Sequence, residues 1–284
     1  MYQPVIIIGA PRSGTNMLRD MLVELQGVAT WPCDEINYIW RHGNVRYPSD
    51  EFTPQMSTPS VAAYIQRQFI EFAVQTHADV VVEKTCANSL RVGFVDQVIP
   101  DAKYIFIVRD GLDAVGSALE RWQASLDIAY ILKKARYVPV TDLPYYATRY
   151  LLNHLYRLAS RERRLAFWGP AMNNIDDLLA KHTLTEVCAL QWKACVDNSE
   201  RDLAKMPSDR VIRVSYESFV NNPVTEFEKI AGFVGKETPE GVKEYLRKNV
   251  RPGSVGKGRK ALGEEQISTL RPLISDTLER YGYE

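Results

Sequence analysis

The opening residues constrain this chain most. Val5-Ile6-Ile7-Ile8 reads as a buried strand and runs directly into Gly9-Ala10-Pro11-Arg12-Ser13-Gly14-Thr15-Asn16. A helical pattern over Asn16–Gln26 follows, with apolar residues at Met17, Leu18, Met21, Leu22 and Leu25. A strand, a glycine-containing turn and a helix start make an anion site. Successive backbone N–H groups point inward and the helix dipole adds partial positive charge. The glycine spacing matches the opening of GxxxxGK[ST], but the ending departs from it. Thr15 stands where that motif has Lys, Asn16 stands where it has the magnesium-binding Ser or Thr, and the loop's cation is Arg12. A nucleoside triphosphatase without that lysine and that metal ligand loses its main means of handling triphosphate charge. The loop therefore suits a less charged phosphate held without metal.

Further β-rich runs at Val80–Val82, Tyr104–Val108 and Val211–Val214 alternate with helical patterns at Val61–Thr76, Leu112–Trp122 and Leu184–Lys205. Apolar, β-branched runs of this kind suit parallel strands buried on both faces. The alternation predicts an α/β fold: a P-loop-like doubly wound sheet with central parallel strands flanked by helices. Residues 123–177 carry aromatics, many arginines and few strand signals, and read as a helical insertion that forms an acceptor lid. The Gly-rich, basic stretch 250–263 reads as a loop, and a last helix spans roughly Glu264 to Tyr281. All 284 residues are expected to form a single domain.

Lys plus Arg and Asp plus Glu are both 35, so the net charge is zero and there is no global electrostatic case for nucleic acid or an anionic membrane. Any anion site has to be built locally. No apolar run is long enough to span a bilayer. The four cysteines, Cys33, Cys86, Cys188 and Cys195, are scattered without a CxxC pair. They suggest neither a metal site nor a disulfide framework, and they fit reduced thiols in a cytoplasmic, soluble protein.

A second anion site follows the third β-run, where Tyr104–Val108 leads into Arg109-Asp110-Gly111-Leu112-Asp113-Ala114-Val115-Gly116-Ser117. Ligands of doubly wound sheets bind at the carboxyl ends of strands, so Arg109 is expected to face the same crevice as Arg12. Taken alone, Arg109-Asp110 also reads as a strand-end salt bridge. Together, PRSGT and RDGLDAVGS resemble the 5′-phosphosulfate loop and the 3′-phosphate motif of PAPS-dependent sulfotransferases. Val214-Ser215-Tyr216-Glu217-Ser218-Phe219 with Asn221-Asn222-Pro223, and Gly253-Ser254-Val255-Gly256-Lys257-Gly258-Arg259-Lys260, resemble two further segments of that family. The resemblance implies PAPS as co-substrate, PAP as product and no metal. It implies that Arg12 and the backbone of Ser13, Gly14, Thr15 and Asn16 hold the 5′-phosphosulfate. Arg109 and Ser117 would bind the 3′-phosphate, Tyr216 would approach the adenine, and Ser254, Gly256, Lys257, Gly258 and Arg259 would complete the site from the tail. Many members carry Trp where this chain has Gly258, a departure expected to leave the loop more flexible.

The acceptor must also lose a proton. Small-molecule sulfotransferases place a His in a KTHLP-like segment. Here Glu83-Lys84-Thr85-Cys86-Ala87-Asn88 carries Cys86 at that position. The segment is closer to the EKTPAY-like stretch of glycan and heparan sulfotransferases, which use a Glu after the first helix. The segment Asp34-Glu35-Ile36-Asn37-Tyr38-Ile39-Trp40 resembles that one. The resemblance thus implies Glu35 as base and Lys84 and Arg12 as sulfuryl and leaving-group stabilisers, with Asp34 and His42 as rival bases. It tilts the acceptor toward a carbohydrate hydroxyl, seated between residues 31–60 and the insertion. Tyr38, Trp40, Trp122, Tyr145, Tyr146 and Trp168 read either as stacking faces for it or as packing residues. Arg157, Arg161, Arg163 and Arg164 read as an attractor for an anionic glycan or as a solvated face. A P-loop kinase for a small molecule and a non-catalytic nucleotide-binding module are the alternatives.

Overall fold

The computed structural model describes residues 2–122, 136–148 and 169–283. Five parallel strands, β1 (Gln3–Ile8), β2 (Val28–Ala29), β3 (Val80–Lys84), β4 (Lys103–Val108) and β5 (Val211–Ser215), lie in the order β2-β3-β1-β4-β5. The expected α/β sheet is present, and β1 lies between β3 and β4, with Ile7 paired to Lys84 on one edge and Ile8 to Phe106 on the other. β2 was not foreseen, since two residues carry no periodicity.

The strands read as unbroken apolar runs because both faces of the sheet are covered. Ile6, Ile8, Val81, Tyr104 and Phe106 pack on one side, with residues of α3 (Pro59–Thr76), α4 (Val92–Val98), α5 (Gly111–Trp122), α7 (Leu184–Leu203) and α11 (Lys257–Arg280). Val5, Ile7, Val80, Val82, Ile105 and Ile107 pack on the other, with residues of α1 (Thr15–Leu22), α8 (Tyr216–Asn221), α9 (Pro223–Phe233) and α10 (Glu240–Asn249). Two short helices also pack on the first side: α2 (Asn37–Trp40) through Ile39 and Trp40, and α6 (Ile175–Lys181) through Ile175, Leu178 and Leu179.

Local chemistry sets the helix ends. α3 starts where the Thr58 side chain accepts from Val61 N–H with Pro59 at the first position, and it buries Val61, Ile65, Phe69 and Ala73 along one stripe. α7 starts on a capping box between Thr183 and Glu186. α1 stops at Leu22, four residues before the expected end, and α4, α8, α9 and α10 fall where no helix was anticipated. The tail also differs from the expected loop. Pro252–Ser254 form a 3₁₀ turn, and helix α11 begins at Lys257 with Gly256 as its N-cap. Gly263, with φ 69°, breaks the helical geometry inside α11, which is where the sequence placed the helix start. Most of the anticipated insertion at 123–177 lies outside the described residues. No helix among the described residues is long and apolar enough to cross a membrane.

Candidate active site

The carboxyl ends of four adjacent strands, β3, β1, β4 and β5, carry the candidate residues, joined by the tail at 254–259. After β1 the chain turns sharply through Arg12, at φ 70°, and Gly14, at φ 89°. A non-glycine residue in the left-handed region costs roughly 1–2 kcal/mol, and such strain gathers at functional turns. Gly14 is required twice over. Its φ is positive, and a Cβ there would lie 2.6 Å from the Tyr216 ring. Ser13 is fully buried, yet its Oγ has no partner among the described residues. Thr15, standing where a kinase would present lysine, is buried with Oγ1 3.9 Å from Cys86 Sγ.

Arg109 arrives from the end of β4. Its Nη1 donates to the Arg12 carbonyl at 3.0 Å and its Nη2 to the Ser254 carbonyl at 2.7 Å, with Asp113 Oδ2 at 3.4 Å. The guanidinium lies 4.5 Å from the centroid of Tyr216, whose hydroxyl meets Ser254 Oγ at 2.5 Å. Arg109 Nε is buried without a partner among the described residues. Arg12 Nε donates to Ser117 Oγ at 2.9 Å, joining the β1 loop to α5. Arg12, Ser13, Gly14, Arg109, Ser117, Tyr216 and Ser254 are thus one connected cluster. Buried donors without protein partners are costly. Ser13 Oγ and Arg109 Nε therefore fit an anion, so the residues present are compatible with a phosphate-bearing ligand.

The tail joins this cluster through Asp113. Its carboxylate accepts from Gly256 N–H at 2.6 Å and from Arg259 N–H at 3.0 Å, and Arg259 pairs with Asp110 at 3.7 Å. Lys257 is exposed beside them. Gly258 corrects the expectation of flexibility. It sits inside α11, where a Cβ would lie 2.1 Å from the Asp113 carbonyl, and one on Gly116 would lie 2.2 Å from the Gly258 carbonyl. Two glycines let α5 and α11 cross backbone to backbone, and a tryptophan has no room there.

On the other side of β1, Lys84 Nζ donates to Glu35 Oε1 at 3.0 Å, and Cys86 N–H donates to the same oxygen at 3.2 Å. Burial alone would lower the Lys84 pKa, but the Glu35 carboxylate more than offsets this and holds the ammonium above its usual range. Burial, reinforced by Glu35, pushes the Cys86 thiol up to about 12, so it is neutral and not a nucleophile. Asp34 is turned away toward Arg19, 3.2 Å from its Nη1, and Asn16 Nδ2 reaches it at 3.5 Å. His42 Nδ1 lies 2.9 Å from Asp142, with its ring against Tyr64.

Tyr38 packs edge-on against Tyr146, which packs edge-on against Tyr145. Trp40 is fully buried against Phe69, so it is a core residue and not an acceptor face. The side chain of Trp122, and Trp168, Arg157, Arg161, Arg163 and Arg164, lie outside the described residues. Among the described residues no cluster of His, Cys, Asp or Glu has the arrangement of a metal site.

Sequence reasoning passed over Glu83 and Asp113. Glu83 is 1% exposed, and its carboxylate accepts from Thr85 Oγ1 at 2.5 Å and Asn88 Nδ2 at 2.9 Å. Thr85 Oγ1 in turn accepts from Ile36 N–H, next to Glu35. A carboxylate at the end of an otherwise apolar strand was the available signal.

No curated protein matches the chain at a significant level. Among solved structures, the sulfotransferase domain from the curacin biosynthetic pathway superposes with TM-score 0.57 at 12% identity, covering 100% of this chain and 99% of that one. A sulfotransferase from Mycobacterium avium gives 0.52 at 14%, covering 100% and 78%. A mouse sulfotransferase complexed with PAP gives 0.50 at 12%, covering 98% and 85%. These likenesses establish a shared fold. The profile of the sulfotransferase family matches residues 4–165, more than half of the sequence, and the chain belongs to that family.

Proposed function

We propose that this enzyme transfers the sulfuryl group of PAPS to a hydroxyl of a carbohydrate acceptor, releasing PAP. One observation carries the reading. Arg109, the Arg12 loop and the Lys84–Glu35 pair stand at the ends of three neighbouring strands, with the loop between the other two. An adenine nucleotide with phosphates at both ends of its ribose fits that line. Arg109, Ser117, Lys257 and Arg259 would hold the 3′-phosphate, with Ser254 and Gly256 supplying the wall behind it. Arg12 and the N–H groups from Ser13 to Asn16 would hold the 5′-phosphosulfate, and charge-assisted bonds of this kind are roughly twice as strong as neutral ones. The PAP held by the mouse relative agrees with this choice of donor.

Glu35 then accepts the proton of the acceptor hydroxyl, whose oxygen attacks sulfur. The bond from sulfur to the 5′-phosphate oxygen breaks, and Lys84 and Arg12 stabilise the charge left on that oxygen. The Glu35 carboxylate holds Lys84 charged, the form this step needs. The glycan-like Glu35 and Lys84 segments and the tyrosines at 38, 145 and 146 favour a saccharide acceptor. Thermal shift with PAP against ATP plus magnesium, followed by transfer of labelled sulfate from PAPS to a panel of saccharides, tests the reading. Stabilisation by ATP plus magnesium alone would overturn it in favour of a kinase, because a ligand stabilises only the state it binds.

A further inference from the structure

Asp113 lies in the first turn of α5, is 1% exposed, and makes no contact that a catalytic step would use. Its carboxylate instead gathers three donors from two parts of the chain: Gly256 N–H, Arg259 N–H and Arg109 Nη2. The first two are orphan amides at the start of α11, so Asp113 caps that helix from another element. The third is the guanidinium at the centre of the phosphate cluster. The same crossing is closed sterically by Gly116 and Gly258, and Arg109 and Tyr216 clamp Ser254 from the far side. Asp113, Arg109, Tyr216 and the glycine crossing thus hold the segment 254–259 among the described residues.

We propose that Asp113 is a positioning residue that builds the 3′-phosphate site before nucleotide arrives, fixing Arg109 and the α11 start in one geometry. The proposal rests on the PAPS reading above. A buried carboxylate near an incoming phosphate has an opposing effect, because it repels the ligand. Three donors already offset its charge, whereas losing it would leave two backbone amides without their acceptor and take one of three acceptors from the Arg109 guanidinium, so the positioning effect is the larger. Binding then costs little ordering of the tail, which is how preorganisation raises affinity.

The test is calorimetric titration of wild type and Asp113→Asn with PAP and with adenosine 5′-phosphosulfate, which lacks the 3′-phosphate. The variant should bind PAP at least about tenfold more weakly, the loss expected from one charge-assisted contact, and should bind the second ligand as wild type does. Equal weakening for both ligands would reveal a general structural defect, and unchanged or tighter PAP binding would show that repulsion wins. Either result overturns the proposal. Amide exchange of nucleotide-free wild type gives a check without mutation: the Gly256 and Arg259 N–H groups should already be protected, and free exchange there sinks the idea. A wild type that fails to bind PAP removes the donor reading itself, whereas a wild type that binds PAP with an indifferent variant removes only the role of Asp113.

Discussion

Replacing Glu83 by Gln should make the enzyme's stability less dependent on pH. Burial raises the Glu83 carboxyl from 4.5 to about 7, against the opposing pull of Thr85 and the neighbouring Lys84. The sign follows from proton counting. Between those values the folded chain still holds the proton and the unfolded chain has released it, so stability falls as pH rises through the window. The gap corresponds to about 3 kcal/mol, fully lost only above the folded value. Substitution by Gln removes the titration while fitting the site. Arg91 Nε donates to Asn88 Oδ1 and fixes that amide, so Asn88 Nδ2 faces position 83 as a donor. The variant's carbonyl oxygen can accept it, and its NH₂ can donate to Thr85 Oγ1. Urea unfolding of both proteins from pH 5 to 8 measures the effect. The wild type should lose roughly 2–3 kcal/mol relative to the variant across that range, which begins just above the unfolded value. Parallel stability curves would refute the claim that this carboxyl is buried at a desolvation penalty.

Three other outcomes are expected. Glu35→Gln should cut sulfuryl transfer by about a hundredfold or more, the usual worth of a general base, while PAP binding stays intact by calorimetry. Arg109→Ala should weaken PAP binding by about tenfold or more in the same titration, since it removes a charged donor and the link between the Arg12 loop and the tail. Gly258→Ala should lower the melting temperature, because its Cβ would overlap the Asp113 carbonyl at 2.1 Å and overpacking costs about 1–3 kcal/mol.

Much of the fold was legible because the signals are local. The runs at Val5, Val80, Tyr104 and Val211 are short, apolar and β-branched, and each became a strand in the parallel sheet. The β1 turn was legible for the same reason, since glycine spacing and a strand-to-helix switch are properties of neighbouring residues. The α11 start was misread because Gly and Lys usually mark loops. Its helix is held by Asp113, 143 residues earlier, and by a glycine crossing that no window on the tail contains. The sequence left Trp40 open between ligand and core, since which of the two an aromatic meets depends on what packs over it.

By itself, the amino-acid order determined four of the five strands, the glycine turn after β1 and the residue types that chemistry needs, because each is written within a few consecutive positions. The tertiary structure alone decided which of Asp34 and Glu35 faces Lys84, which carboxylate holds the tail, and which buried acid feels the missing water. Those outcomes depend on distances between segments far apart in the chain, and on the dielectric their packing creates.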